Sequence, residues 1–278
     1  MTSTVPDITL NNGVSIPQLG FGVFQIPPDQ TEDATALALR VGYRHIDTAE
    51  MYRNEAGVGA AVRSSGIPRS EIFVTSKLSN GAHAHEDALA AFTGTIETLD
   101  IGYVDLFLVH WPLPTVGDFV ETWQAMEEIY RSGRARAIGV SNFQTHHLNR
   151  LAAECTVVPA VNQIEVHPYL TNETVRAYGA EHGIATEAWS PIAQGLVLDD
   201  PTIVAIAERV GRTPAQVTLR WHVQRGDIVF PKSVTESRVR ENLALFDFEL
   251  TDDDIAAISA LNRDHRTGPD PDTFARVP

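Results

Sequence analysis

The sequence predicts an α/β protein: a (β/α)8 barrel with an N-terminal β-hairpin, extra helices and an irregular C-terminal tail. Three observations carry this reading. Eight short apolar runs recur along the chain, ending near residues 22, 47, 77, 110, 141, 163, 189 and 231. Most of these ends lie about 22 to 33 residues apart, the length of one strand plus one returning helix. Helical stretches fill the gaps, and no linker-like change of composition interrupts the 278 residues. The whole chain, residues 1–278, is therefore expected to fold as one domain. An open doubly wound sheet is the runner-up.

In chain order, Ile8–Leu10 and Val14–Pro17 flank Asn11-Asn12-Gly13 and read as a hairpin. Strands are expected at Leu19–Val23, Arg44–Asp47, Ile72–Lys77, Val104–Val109, Ala135–Val140, Ala160–Ile164, Ile184–Trp189 and Ile228–Pro231. Helical patterns fall at Thr31–Val41, Ala84–Leu99, Asp118–Arg131, Thr171–His182 and Thr235–Phe246. The interval before the last strand has room for two helices. The second is announced by Thr213-Pro214-Ala215-Gln216, with an N-cap Thr, Pro at the first helical position and Gln closing a capping box. Another helix starts at Thr251-Asp252-Asp253-Asp254, where acids suit the positive end of the helix dipole. Beyond Leu261 the tail is rich in Asp, Pro and Arg and is expected to be irregular and mobile.

Composition excludes several classes. Acids outnumber bases 36 to 21, a formal net charge of −15, which argues against binding nucleic acid or an acidic membrane and favours a soluble, self-repelling monomer or small oligomer, a monomer being expected. The single Cys155 leaves no disulfide framework and no multi-cysteine metal site, and on a helix it reads as inert. No apolar run approaches the ~20 residues of a bilayer span, and the N-terminus lacks a signal pattern, so a cytoplasmic protein is expected. No Walker A, HExxH, CxxC or GxSxG pattern occurs, and no metal is expected. Gly20-Phe21-Gly22 lacks the third glycine of a dinucleotide fingerprint and reads as a strand-end turn.

The polar residues that interrupt the apolar runs carry the chemistry. In a barrel of this kind, reactive groups sit at the C-terminal ends of strands. There the chain places Asp47, Lys77, His110, Ser141-Asn142, Gln163 and Lys232, with Tyr52 five residues past Asp47. Only Lys77 and Lys232 are lysines; the other cations are all arginine. Burying an Asp and a Lys separately costs several kcal/mol each, so Asp47 and Lys77 are expected to pair. A Tyr52 hydroxyl beside that ammonium is expected to have a lowered pKa and to act as a proton donor. His45 faces the barrel interior with Asp47 and reads as structural.

Taken in order, Gly42-Tyr43-Arg44-His45-Ile46-Asp47-Thr48-Ala49, Tyr52 with Asn54-Glu55, Val109-His110-Trp111-Pro112, Gly139-Val140-Ser141-Asn142-Phe143, Val161 through Pro168 and Phe230-Pro231-Lys232-Ser233 resemble the aldo-keto reductases end to end. The resemblance is nearest to the bacterial 2,5-diketo-D-gluconate reductase group. It implies NADPH-dependent reduction of aldehydes and ketones by a tetrad of Tyr52 (acid), Lys77, Asp47 and His110. It further implies that Gly22, Asp47, Ser141, Asn142, Gln163 and Trp189 contact the nicotinamide end of the cofactor. Ser190, Pro191, Ile192, Gln194, Gly195 and Leu196 would follow the pyrophosphate. Lys232, Ser233, Val234 and Arg238 would hold the 2′-phosphate, with Glu241 and Asn242 near the adenine. Phe24, Tyr52, His110 and Trp111 would form the substrate pocket.

Between Arg225 and Arg240 four cations (Arg225, Lys232, Arg238, Arg240) face two acids (Asp227, Glu236), a local reversal of charge that suits a phosphate and predicts NADPH over NADH. The chain departs from the family at Ser79, where relatives often carry Trp, and at Thr235, where close relatives can offer Arg. The first predicts a larger or more polar pocket wall, the second a weaker phosphate grip. Small dicarbonyls, keto-sugar acids and aromatic aldehydes are the expected substrates. The alternatives are a cofactor-sensing barrel without turnover and a Schiff-base lyase using Lys77 or Lys232.

Overall fold

A computed structural model describes residues 5–277. Strands β1 (Asp7–Thr9) and β2 (Ser15–Pro17) pair antiparallel around a turn at Gly13, whose φ of +83° suits glycine. The flanking Leu10 and the β2 residue Ile16 are buried with Phe73, Leu106, Leu108, Ala137 and Val161, so the hairpin closes the N-terminal mouth of the barrel.

Eight parallel strands form that barrel: β3 (Phe21–Gly22), β4 (His45–Asp47), β5 (Phe73–Leu78), β6 (Val104–Val109), β7 (Ala135–Ser141), β8 (Val161–Glu165), β9 (Ala185–Trp189) and β10 (Ile228–Val229). Each pairs with the next in sequence, and the ring closes where Leu19 bridges Val229. The Gly20 N–H donates to the Val229 carbonyl (2.7 Å) and the Val229 N–H to the Gln18 carbonyl (3.0 Å). Closure demands glycine at residue 22, where a Cβ would lie 2.7 Å from the Phe230 carbonyl oxygen. The last strand stops short of the expected Pro231, which has no N–H to offer a ladder.

Among the described residues ten α-helices flank the barrel: α1 (Pro28–Val41), α2 (Glu55–Ser64), α3 (His85–Leu99), α4 (Phe119–Arg131), α5 (Thr145–Glu154), α6 (Glu173–Glu181), α7 (Pro201–Val210), α8 (Pro214–Gln224), α9 (Glu236–Leu243) and α10 (Asp252–Ser259). The predicted capping boxes of α8 and α10 both form, from Thr213 with Gln216 and from Thr251 with Asp254. Helix α1 begins at Pro28, three residues before the predicted start, because Pro is favoured in the first turn. Cys155 follows the end of α5 rather than lying on a helix, and burial pushes its thiol up to about 11, which leaves it unreactive at neutral pH.

The tail beyond Leu261 is irregular, as expected, but the structure corrects the expectation that it is mobile. Glu165 is buried, and its carboxylate accepts from the Thr267 N–H (2.6 Å), the Thr267 hydroxyl and the Gly268 N–H. A buried carboxylate needs such donors, and here the tail supplies them. Arg263 and His265 donate backbone N–H groups to the Tyr169 carbonyl, Asn80 holds the Arg276 carbonyl, and Phe274 packs on Trp111 with centroids 4.3 Å apart. Among the described residues no helix is long and apolar enough to cross a membrane.

Candidate active site

The centre of the C-terminal mouth is one buried ion pair. Lys77 projects from β5 and gives hydrogen bonds to both oxygens of Asp47 on β4 (2.7 and 2.9 Å) and to the Thr48 carbonyl (2.9 Å). Neither Lys77 nor Asp47 is exposed, so each charge depends on the other. Burial opposes the ammonium, but Asp47 and Tyr52 outweigh it and the Lys77 pKa is raised. A lysine so held is protonated and a poor nucleophile, which counts against Schiff-base chemistry at Lys77.

Tyr52 ends a short turn of 3-10 helix (Glu50–Tyr52) that Arg53 closes in the left-handed region at φ +57°. The turn folds the ring back over the mouth, where its hydroxyl lies 3.4 Å from Lys77 Nζ. The ring is wedged between Phe24 (centroids 5.0 Å apart) and His110 (5.7 Å, edge-on). The expectation of a lowered phenol pKa is corrected here. Burial pushes the Tyr52 phenol above its ordinary value, Lys77 pulls it down and Asp47 pushes it up again, and burial prevails. The phenol is therefore fully protonated at neutral pH, with a cation beside it to meet any negative charge it acquires.

His110, at the end of β6, is buried, and its Nδ1 has no hydrogen-bond partner. Burial and then Lys77 hold its pKa well below the ordinary value, so the imidazole is neutral and can donate a hydrogen bond without being an acid. Trp111 follows it with Phe274 against its ring. Phe24, 55% exposed, stands at the outer edge. Ser79 is buried, with its N–H on Glu50 and its hydroxyl accepting from the Gly81 N–H, in the turn that follows β5.

Across the mouth, β7 and β8 bring Ser141, Asn142 and Gln163 together. The Ser141 hydroxyl donates to the Gln163 carbonyl (2.8 Å). Asn142, at φ +66°, donates to the His110 carbonyl (3.0 Å) and accepts from Trp189 Nε1 (2.8 Å). Gln163 donates to Asp47 Oδ2 (2.9 Å) and to Glu187 Oε2 (2.7 Å). Sequence analysis missed Glu187; the available signal was a lone acid within the apolar run Ile184–Trp189. Gly268 of the tail lies against the edge of the Trp189 ring, where a Cβ would come within 2.3 Å.

The segment after β9 is bent: Ser190, Ala193 and Gln194 have φ of 50°, 49° and 55°, with Gly195 at 98°. Non-glycine residues rarely adopt such values, so the segment is locally strained. Within it the Pro191 carbonyl faces His222 Nε2 (3.0 Å), Ile192 is half-buried and Leu196 exposed. Beside it, beyond β10, Lys232, Val234 and Arg238 are exposed, while the Ser233 hydroxyl accepts from the Thr235 N–H. Asn242 is buried on α9, and Glu241 accepts from the Thr213 hydroxyl (2.6 Å), tying it to the cap of α8.

The four cations expected near the phosphate do not all lie there. Arg225 follows α8 at the N-terminal end of the barrel, packed on Trp221 and paired with Glu173, and Arg240 pairs with Glu236 one turn back on α9. A helix returning to the start of the next strand carries its last residues to the far face, so a count along the sequence mixed both ends of the barrel. Among the described residues, Lys232 and Arg238 alone of the four carry no ion pair. These are the cations free to meet a phosphate.

His146, His147 and Asp272 also cluster, with Asp272 Oδ1 3.3 Å from His146 Nε2 and 3.6 Å from His147 Nε2. His147 Nδ1 accepts from the Gln144 N–H, so Nε2 carries the proton and offers no lone pair to a cation.

The chain matches the sequence model of the Aldo/keto reductase family over residues 18–263. It is 52% identical over 269 residues to an aldo-keto reductase of Mycolicibacterium smegmatis, spanning 97% of this chain and 98% of that one. It is 45% identical over 272 residues to the glyoxal reductase of Bacillus subtilis, spanning 98% of each. A crystal structure of a Gox0644 mutant in complex with NADPH superposes with a TM-score of 0.94 at 44% identity, covering 98% of this chain and 99% of that one.

Proposed function

The chain belongs to the aldo/keto reductase family and is an NADPH-dependent reductase of aldehydes and ketones; from that premise we propose how its own residues carry the reaction. The observation that supports the proposal best is the continuous contact Asp47–Lys77–Tyr52, a buried ion pair ending on a protonated phenol. NADPH supplies the hydride that reaches the carbonyl carbon. Tyr52 gives its proton to the carbonyl oxygen, so that C=O becomes CH–OH, and Lys77 stabilises the resulting phenolate. The neutral His110 donates a hydrogen bond to the same oxygen and aligns it.

The residues present fit the cofactor. Lys232 and Arg238 are exposed, and among the described residues unpaired, beside the bent Ser190–Leu196 segment, the arrangement a 2′-phosphate and a pyrophosphate call for. Gln163, Ser141 and Asn142 frame the nicotinamide position, and Trp189 offers it an aromatic face. Small dicarbonyls are the favoured substrates, in keeping with the glyoxal reductase resemblance, with keto-sugar acids and aromatic aldehydes admitted by the ring-lined mouth of Phe24, Tyr52 and Trp111. The enzyme works as a single-domain cytoplasmic monomer.

The direct test is NADPH oxidation against a panel of dicarbonyls, keto-sugar acids and aromatic aldehydes; no turnover with any of them would sink the proposal. The phosphate grip has its own test. Each charge-assisted contact is worth about 1.5–3 kcal/mol, so Arg238→Ala and Lys232→Ala are each expected to raise KM for NADPH by about 10- to 100-fold. The KM for NADH should stay within about twofold, because NADH has no 2′-phosphate to lose. Equal effects on both cofactors would show that these cations do not read the phosphate.

A further inference from the structure

Glu187 is wholly buried inside the barrel, on β9, in register with Gln163 on β8. The Gln163 amide gives one N–H to Asp47 Oδ2 and the other to Glu187 Oε2. Asp47 Oδ2 belongs to the ion-paired carboxylate and can only accept, and the same Gln163 nitrogen meets Glu187 Oε2, so the orientation of the amide is fixed and only its carbonyl remains for another partner.

The second oxygen of Glu187 has no hydrogen-bond partner and lies 3.9 Å from His45 Nε2. His45 Nδ1 faces the Pro17 carbonyl at 3.3 Å, and a carbonyl can only accept, so the ring proton sits on Nδ1 and Nε2 is bare of a proton, accepting from the Thr75 hydroxyl at 3.2 Å. A bare nitrogen facing a carboxylate oxygen would be repelled; facing a protonated carboxyl it is not. The other titratable groups around Glu187 are Asp47 on β4 and Lys77 on β5, while its strand partners Gln163 and Ile228 do not titrate. Burial, and then the Asp47 charge, push the Glu187 carboxyl up to about 8, and burial holds His45 down at about 3.

We propose that Glu187 is a positioning residue of the reductase, an uncharged carboxyl that locks the Gln163 amide and leaves Lys77–Asp47 as the only charge pair beneath Tyr52. It rests on the Tyr52 reading above. When Glu187 ionises, a second anion sits next to Asp47. A phenolate forming on Tyr52 is then disfavoured, and the phenol becomes a weaker acid toward the carbonyl oxygen. The sign follows: reduction is favoured while Glu187 keeps its proton and slows as pH rises through its pKa.

The test is the pH profile of kcat for methylglyoxal reduction at saturating NADPH, from about pH 6 to about pH 10, together with NADPH binding followed by protein fluorescence. For the parent, kcat should fall above about 8. In Glu187→Gln, which accepts from Gln163 but cannot ionise, that fall should move alkaline by about one pH unit or more. Glu187→Leu removes the acceptor, and its Kd for NADPH should rise about tenfold, with Glu187→Gln restoring most of that loss. A Glu187→Gln profile that superposes on the parent, or parent-like NADPH binding by Glu187→Leu, would overturn the proposal. Should Glu187→Leu not fold, the Glu187→Gln profile decides alone. The binding comparison does not depend on Tyr52, so failure of the acid reading, seen as turnover retained in Tyr52→Phe, stays distinct from failure here.

Discussion

Tyr52→Phe is expected to lower kcat for carbonyl reduction by about 10²–10⁴-fold, the range a positioned general acid contributes, while Kd for NADPH stays within about twofold. Only the hydroxyl is removed. The ring keeps its place between Phe24 and His110, and the Lys77–Asp47 pair keeps its bonds to each other and to the Thr48 carbonyl. Among the described residues the only carboxyl bonded to Lys77 is Asp47, whose two oxygens both accept from the ammonium and so offer no proton. His110 cannot substitute, because burial and Lys77 keep it neutral across the range in which the enzyme would be assayed. The measurement is kcat by NADPH oxidation with fluorescence titration of NADPH on the same preparation. Undiminished turnover would remove the acid role from Tyr52; loss of both turnover and binding would assign it to the cofactor site instead.

Much of this arrangement was legible from residue order because barrel geometry is repetitive. Strand ends converge on one face, so Asp47, Lys77, His110, Ser141, Asn142 and Gln163 could be gathered there from spacing alone, and the fold gathers them. Three things were not legible, each for a physical reason. The net shift of the Tyr52 phenol depends on how burial weighs against two opposite charges at specific distances, and a sequence gives the partners without the distances. The charge count from Arg225 to Arg240 treated neighbours in sequence as neighbours in space, although a helix-to-strand turn sends Arg225 to the opposite end. The tail looked free because it has no periodicity. Its anchors are long-range bonds to Glu165, Tyr169 and Asn80, and no local pattern announces such bonds. Glu187 belongs with the third case: its meaning comes from its register with Gln163 on the neighbouring strand.

The second large effect is expected from Lys77→Met, and it falls on stability as well as rate. The substitution leaves Asp47 buried with Gln163 as its remaining side-chain donor, and removing one partner of a buried ion pair costs about 3–5 kcal/mol. Burial already raises the Asp47 pKa in the parent against the pull of Lys77 and Gln163, and losing the ammonium raises it further, so the folded variant holds a proton that the unfolded variant releases at neutral pH. The deficit relative to the parent is therefore smallest near pH 4, where both states are protonated. It grows by up to about 1.4 kcal/mol per pH unit as pH rises from the folded pKa of Asp47 in the parent to the higher one in the variant. Denaturant titrations of both proteins at several pH values measure this directly. Adding Asp47→Asn removes the unpaired charge, so the double variant should recover much of the stability and lose the pH dependence of the deficit. It should recover none of the turnover, because Tyr52 still lacks the cation that stabilises its phenolate. A Lys77→Met variant as stable as the parent at pH 7 would mean that the pair is not a coupled unit. Turnover returning with stability in the double variant would mean that Lys77 serves the fold and not the reaction.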